Sequence, residues 1–143
     1  MSIKKNEATR QRPAGDRFLD SPALVVNLPS WLDQLMREES WKDSDRNAVT
    51  VAKSDRITVT LIALHEGAMM GNKELERFFM AEVLAGNVQL ELQGGEVRLE
   101  KGDLIVLHPE VDHLIQANSN ACILLTSMAT EAQEGLEGEA LFP

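Results

Sequence analysis

From Asn47 to Met128 apolar side chains recur at every second position in short runs, the pattern of strands that bury one face and wet the other. The runs cover 48–52, 56–64, 78–84, 88–92, 97–99, 104–107, 114–116 and 121–128. Turn-forming clusters separate them: Lys53 to Asp55, Glu66 with Gly67, Gly86 with Asn87, Gln93 to Gly95, Lys101 to Asp103, and Asn118 to Asn120. In 88–92, Val88, Leu90 and Leu92 alternate with Gln89 and Glu91, so one face lines a core and the other meets water. Many short strands with no long helix between them predict an all-β fold, an antiparallel sandwich or closed barrel.

The start of the chain reads differently. Residues 1–20 mix charge with Pro13 and Gly15 and show no apolar period, so a disordered N-terminal leader is expected. Ser21 and Pro22 turn the chain into 23–28, a short apolar run suited to a strand. After Pro29, the apolar residues Trp31, Leu32, Leu35 and Met36 fall at helical spacing, which predicts a short helix at about 30–39 packed against the body. The expected domain is 21–129. Beyond it, 130–143 is acidic and broken by glycine, an expected mobile tail in which Leu136, Leu141 and Phe142 are the candidates to dock.

Composition narrows the partners. The chain has 143 residues, a net charge of −9, 43% hydrophobic residues and only 4% aromatic ones, so one aliphatic core is expected. That charge repels phosphate backbones and anionic lipid, and the only basic-leaning stretch is the leader; neither a nucleic-acid nor a membrane partner is expected. Cys122 is the sole cysteine, which excludes an intramolecular disulfide and thiolate-rich zinc sites. It lies in an apolar strand, where a thiol is buried and inert. A reducing, cytoplasmic setting of bacterial type is expected, since no apolar run approaches the length of a membrane span.

The segment Gly102, Asp103, Leu104 to Leu107, His108, Pro109, Glu110, Val111, Asp112, His113 resembles the second motif of the cupin superfamily: a Gly-Asp turn, an apolar strand, a Pro-containing turn and a closing His. Gly67 and Gly86 stand where the first motif opens and closes. The resemblance implies a single cupin-type jelly-roll β-barrel with a short N-terminal helix. Leu64, His65, Glu66 and Gly67 are also similar to the turn before the first motif in a branch of short bacterial cupins. His108 takes the usual Pro position, and Glu110 that of the common turn Gly. In the first motif, the two His ligand positions fall on Lys73 and Leu75 and the Glu position on Phe79, so of the four metal ligands only His113 remains.

A catalytic metal generally needs three protein ligands, so the expectation is no cofactor, with His113, Lys73, Leu75, Phe79, His65 and Glu74 as pocket candidates. The reading is a metal-free small-molecule-binding or regulatory module, non-catalytic, forming a homodimer in which 23–28 or 48–52 covers a neighbouring sheet edge. The alternative is a divergent metal-dependent cupin enzyme, an oxygenase or isomerase of a small metabolite, with a divalent transition metal held by His113, His65 and Glu74.

Overall fold

The two-residue alternation becomes two facing antiparallel sheets in a computed structural model that describes residues 12, 17–71 and 76–130 and the backbone of Lys5–Asn6. In chain order the elements are β1 (Lys5–Asn6), β2 (Arg17–Phe18), α1 (Leu28–Arg37), α2 (Glu39–Asp43), β3 (Arg46–Lys53), β4 (Ile57–Leu64), β5 (Met69–Gly71), β6 (Phe78–Ala85), β7 (Asn87–Leu92), β8 (Gly95–Glu100), β9 (Leu104–Leu107), β10 (His113–Ala117) and β11 (Ala121–Met128). A four-stranded sheet has the order β5-β10-β7-β8 and a five-stranded sheet the order β3-β4-β11-β6-β9. Together they form a jelly roll whose sheets face one another without closing into a hydrogen-bonded barrel.

Alternation divides the apolar residues between two cores. Ile62, Leu64, Val83, Val88, Leu90, Ile115 and Ile123 point between the sheets, each burial being worth about 1.5–3 kcal/mol. On the opposite face of the five-stranded sheet, Val49, Val51, Leu61, Ala63 and Cys122 pack under Leu35, Trp31 and Leu32 of α1 and Trp41 of α2. Burial pushes the Cys122 thiol up to about 12, so it is a packing group and no nucleophile at neutral pH. Gly86 joins β6 to β7 at φ 71°, and a Cβ there would lie 2.2 Å from the Asn120 carbonyl oxygen, so only glycine fits.

One expectation at the N-terminal end is corrected. Residues 23–28 form no strand: Asn27 caps α1, its Oδ1 accepting from Ser30 N at 3.0 Å, and Leu28 with Pro29 already opens the helix. Val25 is 94% exposed, while Val26 and Leu28 pack into the helix-covered core. Of residues 1–20, the expected leader, a few are described and lie against the body. Phe18 and Arg17 pair with Lys5 and Asn6, and Leu19 is buried. The expected tail from 131 onward, with Leu136, Leu141 and Phe142, lies outside the described residues. Met69 and Met70 form, with Gly71, the short strand β5 paired with β10.

What orders the N-terminal stretch is the outer edge of β3. Arg12 donates to the Ala48 carbonyl at 2.9 Å, Arg17 to that of Thr50 at 2.6 Å, and Lys53 N donates to the Leu19 carbonyl at 2.8 Å. Arg12 also grips the buried Glu38 carboxylate through Nε at 3.0 Å and Nη2 at 2.8 Å. Asn47 and Gln34 complete that carboxylate's shell, each at 2.9 Å or less. Both guanidiniums stand over the Trp31 ring, at 5.7 and 5.0 Å. Burial alone would raise the Glu38 pKa, but the hydrogen bonds from Arg12, Asn47 and Gln34 outweigh it and hold the carboxyl below its usual range.

Candidate functional site

His113 opens β10 at one end of the sandwich, opposite Leu92 in the β7–β10 ladder. Inward-facing positions of β10 are His113, Ile115 and Ala117, so the imidazole occupies the last inward place before the sheet ends. It is 7% exposed, its Nδ1 stands 3.5 Å from the Val111 carbonyl, and the Phe79 ring meets it edge-on at 5.6 Å between centroids. Burial lowers its pKa, against the opposing pull of the Val111 carbonyl and the Asp112 charge. The ring is therefore neutral at pH 7 and can donate through one nitrogen and accept through the other.

An open cleft of about 500 Å³ adjoins it, lined by Gly71, Glu91, Leu92, Gln93, Asp112, His113 and Leu114. A second opening of about 520 Å³ follows the Gln93–Gly94 turn and the 110–112 loop at the same end. That loop is shaped by Glu110, which adopts φ 71°, the left-handed conformation that glycine serves better. The motif position read as a lost turn Gly is thus a real left-handed turn that this sequence makes with Glu.

The candidates divide around this end. Phe79 and His113 come together, and Phe79 lies against the inter-sheet core. Where the resemblance puts a carboxylate ligand, a phenyl ring covers the imidazole. Lys73, Glu74 and Leu75 lie outside the described residues. His65 does not join them. It follows β4, near Gly67, whose N donates to the Ala117 carbonyl, so it sits at the far end of β10, four residues or roughly 13 Å of strand from His113. There its ring stacks on Trp41 at 3.5 Å and Nε2 pairs with the Trp41 carbonyl at 2.7 Å. One ion cannot hold both histidines. His108 is exposed beside Phe78, and Glu66 is exposed with its N bonded to Asn120. Among the described residues no three His, Cys, Asp or Glu side chains group as a metal site. Sequence reading did not anticipate Glu91, Gln93 and Asp112 as lining: the strand alternation marks Glu91 as solvent-facing but carries no sign that a cleft opens there.

Comparisons with known proteins agree with the architecture. The model of the AraC-like ligand binding domain matches residues 81–134, from within β6 to beyond β11. A cupin superfamily protein from Desulfitobacterium hafniense superposes with a TM-score of 0.57 at 16% identity, over 59% of this chain and 78% of that one. A Streptococcus pyogenes protein of unknown function gives 0.59 at 19% identity, over 80% and 94%. The cupin domain of an XRE family transcriptional regulator from Enterobacter cloacae gives 0.55 at 13% identity, over 62% and 100%. No curated protein sequence matches. No helix among the described residues is long and apolar enough to cross a membrane. The order of strands, the Gly86 turn and these superpositions agree, and the chain has the fold of the cupin superfamily.

Proposed function

We propose that the chain is a metal-free ligand-binding or regulatory module that takes a small polar molecule at the cleft beside His113. The observation that carries this is a neutral, nearly buried imidazole at the wall of an open cleft, with Phe79 against it where a ligating carboxylate would be needed. Around it Glu91, Gln93 and Asp112 offer acceptors, so the chemistry suits a ligand rich in hydroxyl or amine donors rather than an anion. The inter-sheet space is filled by aliphatic side chains, which favours binding at the mouth over binding inside. The match to a ligand-binding domain supports the same reading, and the Enterobacter cloacae regulator is a case in which such a domain belongs to a transcriptional regulator.

The test is thermal denaturation of the protein and of His113→Ala against monosaccharides, polyols and primary amines, with metal content measured on both. Stabilisation of the parent by one of these classes, at least tenfold weaker in affinity for the variant, is expected. Near one metal ion per chain, lost in His113→Ala, would replace this reading with the metal-dependent oxygenase or isomerase.

A further inference from the structure

The charged groups at the mouth of the sandwich are all acids. The cleft beside His113 and the opening along the 110–112 loop share Leu92, Gln93 and Asp112, so the two are continuous. Glu91 and Asp112 line the first, Glu96, Glu110 and Asp112 the second, and among the described residues no lysine or arginine lines either. All four of these carboxylates belong to exposed residues. Below them Leu92, Val97 and Val111 are half-buried against the inter-sheet core and give the mouth an apolar floor.

His113 adds an acceptor from the buried side. A carbonyl only accepts, so the contact of Nδ1 with the Val111 oxygen at 3.5 Å places the proton on Nδ1 and leaves a lone pair on Nε2. That nitrogen has no hydrogen-bond partner among the described residues, although the side chain is 7% exposed. No buried polar side-chain atom among the described residues lacks a partner, so Nε2 is not sealed in the core but opens on the cleft that His113 lines. The ladder carries a second sign. Glu91 and Glu96 are direct partners across β7 and β8, and like charges set opposite one another destabilise a sheet. Gln89 donates to Glu96 at 2.9 Å, and Arg98, in the next pair on that face, makes no ion pair among the described residues.

We propose, building on the ligand reading above and narrowing it, that the mouth takes an aliphatic diamine: a short hydrocarbon chain with a protonated amine at each end. Carboxylates at both openings match a cation charged at both ends, and the shared apolar floor matches the chain between. An ammonium N–H also supplies the donor that Nε2 lacks, which a quaternary ammonium would not. A neutral polyol could satisfy Nε2 but would leave the Glu91 and Glu96 charges facing each other. Three of these side chains do not gather about one point among the described residues, so the negative charge is spread over the mouth, as suits an organic cation larger than a bare ion. The net charge of −9 draws such a ligand in.

The experiment is calorimetric titration of the full chain, at neutral pH and low salt, with three probes on the same carbon chain: diaminobutane, butylamine and butanediol. Diaminobutane is expected to bind at least tenfold more tightly than butanediol, with butylamine between them, and to weaken as salt is added. Asp112→Asn/Glu110→Gln is expected to weaken diaminobutane at least tenfold, while Glu100→Gln, exposed on β8 outside the mouth, leaves it unchanged. His113→Ala is expected to weaken it too; should that variant fail to fold by circular dichroism, the exposed carboxamide pair carries the test. Butanediol bound as tightly as diaminobutane, and lost in folded His113→Ala, overturns the amine assignment and leaves the ligand reading standing. Diaminobutane binding that is absent, or indifferent to Asp112→Asn/Glu110→Gln, overturns the assignment as well. If monosaccharides and polyols also fail to bind, the ligand reading falls with it.

Discussion

The β3 and β9 strands close the same sheet at opposite sides, yet they treat their free backbone groups in contrary ways. At β3 two arginines and the Leu19 carbonyl take up alternate edge positions, and Glu38 holds one of those arginines in place. Guanidinium suits this work because it carries several donors in a fixed fork: Arg12 serves the Glu38 carboxylate and the Ala48 carbonyl at once. At β9 nothing comparable stands among the described residues, and the exposed Leu104 and Val106 replace the charges that ordinarily guard an edge. Covering an edge with the chain's own cationic side chains makes it unavailable to a partner.

Substitutions at the two edges separate these roles. The largest effect is expected for Glu38→Ala, which strips four hydrogen bonds from a buried carboxylate and leaves Arg12 and Asn47 without it. A loss of about 3 kcal/mol in urea denaturation is expected. Acid acts on the same group. Because the folded carboxyl is held below its ordinary value of 4.5, its contribution is fully present above that pH and is lost as pH falls through the lower folded value. Stability followed from pH 6 to pH 3 should fall less in Glu38→Gln than in the parent. Arg12→Ala is expected to cost about 1–2 kcal/mol, less than Glu38→Ala because Gln34 and Asn47 still hold the carboxylate. Smallest is Val106→Lys, expected to change the stability of the folded chain by no more than about 0.5 kcal/mol, because that side chain already faces water. If Val106→Lys costs as much as Glu38→Ala at a protein concentration low enough for monomers, the contrast between the edges is broken.

Much of the architecture was legible in the alternation of residues. The run 121–128 is β11 to the residue, and 104–107 is β9, because each is bounded by turn residues that leave the strand no room to extend. Residues 23–28 misled because an apolar, β-branched run carries no sign of which way it will go. The asparagine within it and the proline after it decide for a helix cap, and the capping bond is local to Asn27 and Ser30. The contacts of Arg12 and Arg17 were hidden for the opposite reason. The leader's composition is that of a solvated segment, but Arg12 and Arg17 bind carbonyls and a carboxylate 26 to 36 residues away, and sequence periodicity does not report such pairings. At the site, the contact of Phe79 with His113 joins residues 34 positions apart, which the motif spacing names as neighbours only through the resemblance. That His65 belongs to the other end was not visible, since it depends on the path of β4 relative to β10.

The arginine clasp also bears on how the molecule assembles when it is shortened. Trimming the chain at residue 20, which composition alone would recommend, bares the carbonyls of Ala48 and Thr50. A strand edge uncovered in this way is a template for a strand of another molecule. Arg12 and Arg17 would then be guards against aggregation as much as contributors to stability.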